Sequence, residues 1–268
     1  MRMLAIALLG LLFCQDPALP PGQGSGQGSG EGSQEKSSQK SSSKTLKTWP
    51  DKEAREKVKA FERQLKPKKI SMRVRKEALD SLVGGINLQL VKPIGKFIEK
   101  ESSIVLKRQA IEMLSDQPKV NAHKMILKLL KKTDVTSNPQ VEAGLVTALS
   151  RAGYVAKDWP AIKDVFESDY DNERIPVHEA VLKLVTEHKE SQAIPMLLRN
   201  LEEPNPVNVE VAENPPTAYW KARWHAWAVW KGQVKDALFT ITGQRFSTAK
   251  EAKSWLKKNP IKVKKKRR

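Results

Sequence analysis

The side chains best suited to proton transfer or metal binding in this chain are four histidines, His123, His178, His188 and His225. They are scattered through the sequence, and none has a second histidine or a cysteine at ligand spacing. A zinc protease needs two histidines one helical turn apart with a glutamate between them, and a structural zinc site needs paired Cys or His. Neither pattern occurs. The single cysteine, Cys14, has no partner for an internal disulfide. Gly84-Gly85 follows an amphipathic stretch, where ending a helix is the expected use, and no Gly-rich phosphate loop is present. We therefore expect no catalytic residue, no cofactor and no metal, and no small-molecule substrate.

Charge is the other chemistry on offer. The chain carries 48 Lys and Arg against 30 Asp and Glu, a net charge of +18. Thirteen basic and four acidic residues fall within 44–76, and eight basic residues with no acid fall within 257–268. The stretch 77–256 between them is left at +1. Salt limits the reach of each cluster to about 10 Å, so these are two patches rather than one field. The candidate anion-binding residues are Lys66, Lys68, Lys69, Arg73, Arg75 and Lys76 in the first patch. In the second they are Lys264, Lys265, Lys266, Arg267 and Arg268. Such patches suit an envelope polysaccharide, an anionic membrane surface or nucleic acid; the bland use of the tail is a solvated, disordered extension over 260–268.

Two further segments bear on binding. Trp220, Trp224, Trp227 and Trp230 fall within about a third of a helix circumference. An exposed row could stack on sugars, but four exposed indoles are an aggregation hazard, so the expectation is core packing, with Trp255 closing onto the same face. Residues 202–218 interrupt the helical pattern with Pro204, Pro206, Pro215 and Pro216 and carry four unbalanced glutamates. They form an insertion, and its Val207, Val209 and Val211 alternate as an extended segment does.

The elements that must position these groups are repeated. One pattern reads VRKEALDSLV (74–83), LKRQAIEMLS (106–115), VEAGLVTALS (141–150) and PVHEAVLKLV (176–185). In each, the fifth, sixth and ninth places are apolar, one side of a 3.6-residue helix. A second pattern follows each copy: PIGKFIEK (93–100), MILKLLKK (125–132), AIKDVFES (161–168) and AIPMLLRN (193–200). Successive copies are offset by 32, 35 and 35 residues for the first helix, and by 32, 36 and 32 for the second. An amphipathic pair at that interval cannot bury its apolar side alone and must stack on its neighbours. An altered fifth copy is expected in ARWHAWAVWK (222–231) and QVKDALFT (233–240). Before the first copy, Ala54, Val58, Phe61 and Leu65 make one stripe on a capping helix over 51–66. A last helix should start at Thr248, with Glu251 completing a capping box, and stop at Asn259-Pro260.

This arrangement resembles a HEAT-like repeat protein of the exported bacterial type. The resemblance covers roughly residues 51–258 and rests on the small-apolar first helix, the apolar second helix and Pro93, Pro160 and Pro195 early in the second. It implies an all-α fold: a short right-handed α-solenoid of about five helical pairs over 49–259, capped by a helix at each end. It also implies a curved surface that binds a protein partner without catalysis.

The first residues look like a targeting segment. Arg2 precedes the apolar run 4–13, which is short for a membrane span. The expectation is a signal peptide over 1–14, cleaved after Cys14. Lipidation at Cys14 and an uncleaved anchor are the alternatives, and all three put the protein outside the cytoplasm, periplasmic or extracellular. Residues 15–48, rich in Gly, Ser and Gln, are expected to be a disordered tether.

Overall fold

The structure is a computed structural model that describes residues 45–206 and 214–261. The expected all-α class holds: twelve α-helices account for most of the described residues, beside two strands of two residues each. After β1 (Lys47–Thr48) come α1 (Asp51–Gln64), α2 (Met72–Asp80), β2 (Gly85–Ile86), α3 (Leu88–Lys100), α4 (Ile104–Ser115) and α5 (Lys119–Leu130). A one-turn α6 (Thr133–Thr136) leads into α7 (Pro139–Gly153), α8 (Trp159–Glu167), α9 (Ile175–His188) and α10 (Ile194–Arg199). The long α11 (Thr217–Thr242) and α12 (Ala249–Lys258) complete the order.

Local chemistry sets most of the helix starts. Ser71, Asn87, Ser103, Asn138 and Thr248 each accept a hydrogen bond from a backbone N–H in the first turn that follows. Those N–H groups have no carbonyl within the helix to bond. Helices α7 to α10 carry Pro in their first two positions, where its missing donor is harmless. The Gly84-Gly85 doublet divides its work. Gly84 takes a φ of +82° to end the turn after α2, and a Cβ on Gly85 would lie 2.6 Å from the Trp49 ring.

Packing follows the repeat. Helices α2, α4, α7, α9 and α11 contact one another in chain order, and α1, α3, α5, α8, α10 and α12 pack behind them. Eleven of the twelve apolar places of the first pattern are buried, only Ala180 being half-exposed. Leu82, Leu114, Leu149 and Leu184 all lie at 1% exposure or less. The second pattern is buried less completely, with Leu130, Val165, Ile194 and Leu198 half-buried.

Polar rungs run at the same interval. Gln117 accepts from the Asn87 N–H at 3.1 Å and donates to the Gly85 carbonyl at 3.0 Å. His123 meets Asp158 at 2.7 Å, Tyr154 donates to Glu190 at 2.7 Å, and Gln192 donates to the Ala156 carbonyl at 2.8 Å. These bonds join residues 30 to 36 apart, tying neighbouring segments of the stack together.

Fully buried His178 sits against Phe166, Tyr170 and Trp230, its Nε2 3.0 Å from the Asp169 carbonyl. Burial pushes its pKa from 6.5 down to about 4, so it is neutral near pH 7. The unfolded chain takes up this proton at a higher pH than the fold does. Stability is therefore complete above pH 6.5 and declines as pH falls toward 4. We expect His178→Phe to flatten that part of a pH–stability curve measured by urea denaturation. An unchanged slope would place the acid sensitivity elsewhere.

Several expectations need correction. The ordered body begins before Trp49, because Lys47 and Thr48, assigned above to the tether, pair in parallel with Gly85 and Ile86. Residues 222–240 are not a pair of helices but the middle of one 26-residue helix, α11. Helices α11 and α12 each pack against α10. Thr248 starts α12 as expected, while Glu251 accepts from the Ser247 N–H rather than from Thr248 itself. Trp255 meets Phe246, with ring centroids 5.6 Å apart, instead of the tryptophan row. Within that row only Trp230 is fully buried; Trp220 and Trp227 are half-buried, and Trp224 is 45% exposed.

Candidate functional site

Two concavities stand out, one along the first-pattern helices and one at the N-terminal end of the stack. The first is a groove of about 730 Å³ running across α4, α7, α9 and α11. Its floor is made of Ile111, Ala143, Gly144, Ala148 and Ala180, with Thr147 beside them. Small side chains at these helical positions leave the space open. Arg108 and Glu112 on α4, Arg151 on α7, Lys183 and Glu187 on α9, and Asp236 on α11 surround it. Among the described residues Lys183 pairs with Glu187 alone, at 3.9 Å along its own helix, and Gln233 donates to Glu179 across the groove at 3.0 Å. Arg108, Glu112, Arg151 and Asp236 form no ion pair among the described residues.

The second concavity, of about 870 Å³, lies between α1, the loop 65–71 and α3. It brings together three of the candidate basic residues, Lys68, Lys69 and Arg75, and adds Lys96 and Lys100 from α3. Lys66, Arg73 and Lys76 lie outside it; Arg73 and Lys76 pair with Glu77 and Asp80 one helical turn away. Arg75 has a positioning role. Its Nε donates to buried Glu101 at 2.9 Å and its Nη1 to the Ile70 carbonyl at 2.8 Å, which pins the loop wall. Glu101 also accepts from the Ser103 N–H at 2.8 Å. The tail residues Lys264, Lys265, Lys266, Arg267 and Arg268 lie outside the described residues, as do residues 1–44, where the signal peptide and most of the tether are expected, and 207–213 of the insertion.

The histidines, distant in sequence, acquire neighbours. Ser150 Oγ lies 2.6 Å from Glu187 Oε2 and 2.8 Å from His188 Nε2. An ionised carboxylate takes the only hydroxyl proton, so the imidazole donates to Ser150 instead of accepting from it. A serine nucleophile needs the opposite polarity at its histidine, and this contact is another link between repeats. His123 holds Asp158, which also accepts from the Val155 N–H at 3.1 Å. His225 is exposed on α11. Among the described residues no group of three or more His, Cys, Asp or Glu could hold a metal ion, and no helix is long and apolar enough to cross a membrane.

Sequence reasoning missed Lys96, Lys100 and the groove. The two lysines are one turn apart on the polar side of PIGKFIEK, yet their segment is near neutral overall. Of the groove floor, only Ile111 and Ala180 fall on the apolar places of the first pattern, and Ala143, Gly144 and Ala148 lie between them. No family model, curated protein or solved structure matches this chain.

Proposed function

We propose that the chain is a HEAT-like solenoid that works as a non-catalytic binding module, its groove across α4, α7, α9 and α11 receiving a segment of a protein partner. The observation that carries this is the groove itself: unpaired charges of both signs above a floor of small residues, spanning four successive helices. Neighbouring helix axes lie about 8–10 Å apart, so four helices span roughly 25–30 Å. That length fits about eight residues of extended chain at about 3.3 Å per residue. Mixed charges favour one register of such a segment and disfavour partners with the wrong pattern. A nucleic acid or acidic polysaccharide would need a uniformly basic track, and this groove carries acids and bases in similar number. The apolar run of residues 4–13 supports export, which puts the partner outside the cytoplasm.

The test is site-specific photo-crosslinking in the source organism. A benzophenone side chain is placed at Thr147 in the groove, or at exposed Asp164 on α8, outside the groove lining. The expected result is one protein adduct of discrete mass from position 147 and none from 164. Equal labelling at both positions, or an adduct from 164 alone, would remove the groove from the binding surface.

A further inference from the structure

We propose a second, independent site: the N-terminal pocket binds a soluble single-chain amphiphile with an anionic head, such as a carboxylate or phosphate on a short apolar chain. Lys68, Lys69, Lys96 and Lys100 surround the opening, and none of the four forms an ion pair among the described residues. Two carboxylates belong to the lining. Glu101 is committed to Arg75 and to the Ser103 N–H, which leaves Glu62 alone against four ammonium groups. Unpaired like charges around one concavity repel each other, and low-dielectric walls focus their field into the opening. An anion seated there relieves the repulsion.

The walls specify the rest of the ligand. Phe61 and Phe97 meet with ring centroids 5.8 Å apart, and Leu65, Ile70 and Pro93 complete an apolar side. Phe61, Phe97 and Pro93 are buried, and Leu65 and Ile70 are half-buried; a short alkyl chain covers what these two leave open, as a bare phosphate or a sugar chain does not. At about 870 Å³ the space falls within the usual range for small-ligand sites. It is also pre-formed. The Arg75–Glu101 pair and the Arg75 bond to the Ile70 carbonyl hold the loop in place, so little ordering is left for the ligand to drive.

Calorimetry with the purified full chain tests this with three probes below their micelle concentrations: decyl phosphate, inorganic phosphate and decyl maltoside. Decyl phosphate should bind about a hundredfold more tightly than inorganic phosphate, because only it covers the apolar wall. The neutral maltoside should bind weakly or not at all. The variant Lys96→Glu/Lys100→Glu changes two exposed positions and should weaken decyl phosphate by about tenfold or more. Lys253→Glu/Lys257→Glu on α12 makes the same change in net charge at exposed positions of a different helix and should leave the affinity unaltered. Circular dichroism melts confirm that both variants fold. Maltoside binding as tightly as decyl phosphate, or equal weakening by the two variants, would overturn the proposal. So would decyl phosphate binding no more tightly than inorganic phosphate.

Discussion

Truncating Leu149 to Ala should lower the unfolding free energy by about 3–5 kcal/mol, the upper part of the range for a buried leucine. Leu149 is completely buried on α7, the helix that packs against α4 and α5 on one side and α9 on the other. A void there removes dispersion contacts on both sides, and a stack of helices has no second core to compensate. Leu82 occupies the equivalent place in the first pair and is equally buried, but it has fewer pairs beyond it. Leu82→Ala should therefore fall nearer the lower end, about 2 kcal/mol. Urea denaturation gives both values. Losses below about 1 kcal/mol at both sites would break the common register of the repeats.

The second large effect concerns a buried charge. Glu142 on α7 and Arg174, in the turn before α9, approach to 2.9 Å with side chains only 8% and 16% exposed. Arg174 also donates to the Val165 carbonyl at 3.1 Å, so one guanidinium ties α7 to α8. Replacing Arg174 by Met strands the carboxylate in a dry site and should cost about 3–5 kcal/mol. Adding Glu142→Leu removes the stranded charge and should recover most of that loss. Burial already raises the Glu142 pKa, and Arg174 opposes the rise. Without Arg174 the folded form holds the proton more strongly than the unfolded chain does. The single variant should then lose stability as pH rises through the carboxylate range, with a steeper slope than the parent protein. A double variant no more stable than the single one would show that the charge is not what matters there.

How much of this was legible in the sequence varies by element. The burial of Leu82, Leu114, Leu149 and Leu184 was legible, because each closes an apolar trio spaced at i, i+1 and i+4, one side of a helix, and the trio recurs every 32 to 35 residues. Thr248 announced α12 through its capping hydroxyl. The continuity of α11 was not legible. Matching 222–231 and 233–240 to the two repeat patterns implied two helices, but Gly232 between them has no positive φ and has open space around it. A glycine inside an exposed helical face costs only about 1 kcal/mol relative to alanine, too little to end a helix with Trp230 and Val234 buried on either side. The two concavities were hidden for a related reason. Ala143, Gly144 and Ala180 line a groove only because larger partners are missing opposite them, and no single helix shows that. Lys96 and Lys100 join Lys68 and Lys69 only when α3 is laid beside the loop 65–71, a contact that charge counted by segment cannot contain.

Filling the groove tests the binding account most directly. Gly144 lines the floor, and a Cβ there would meet only Ile111 methyl carbons at 3.9 Å, so a side chain can grow outward without disturbing the helices. The measurement is the affinity of the Gly144→Trp variant for the partner captured through Thr147, set against the parent protein at equal thermal stability. The account predicts a loss of about a hundredfold or more, since an indole occupies the space the partner segment needs. An affinity within about twofold of the parent's would contradict it.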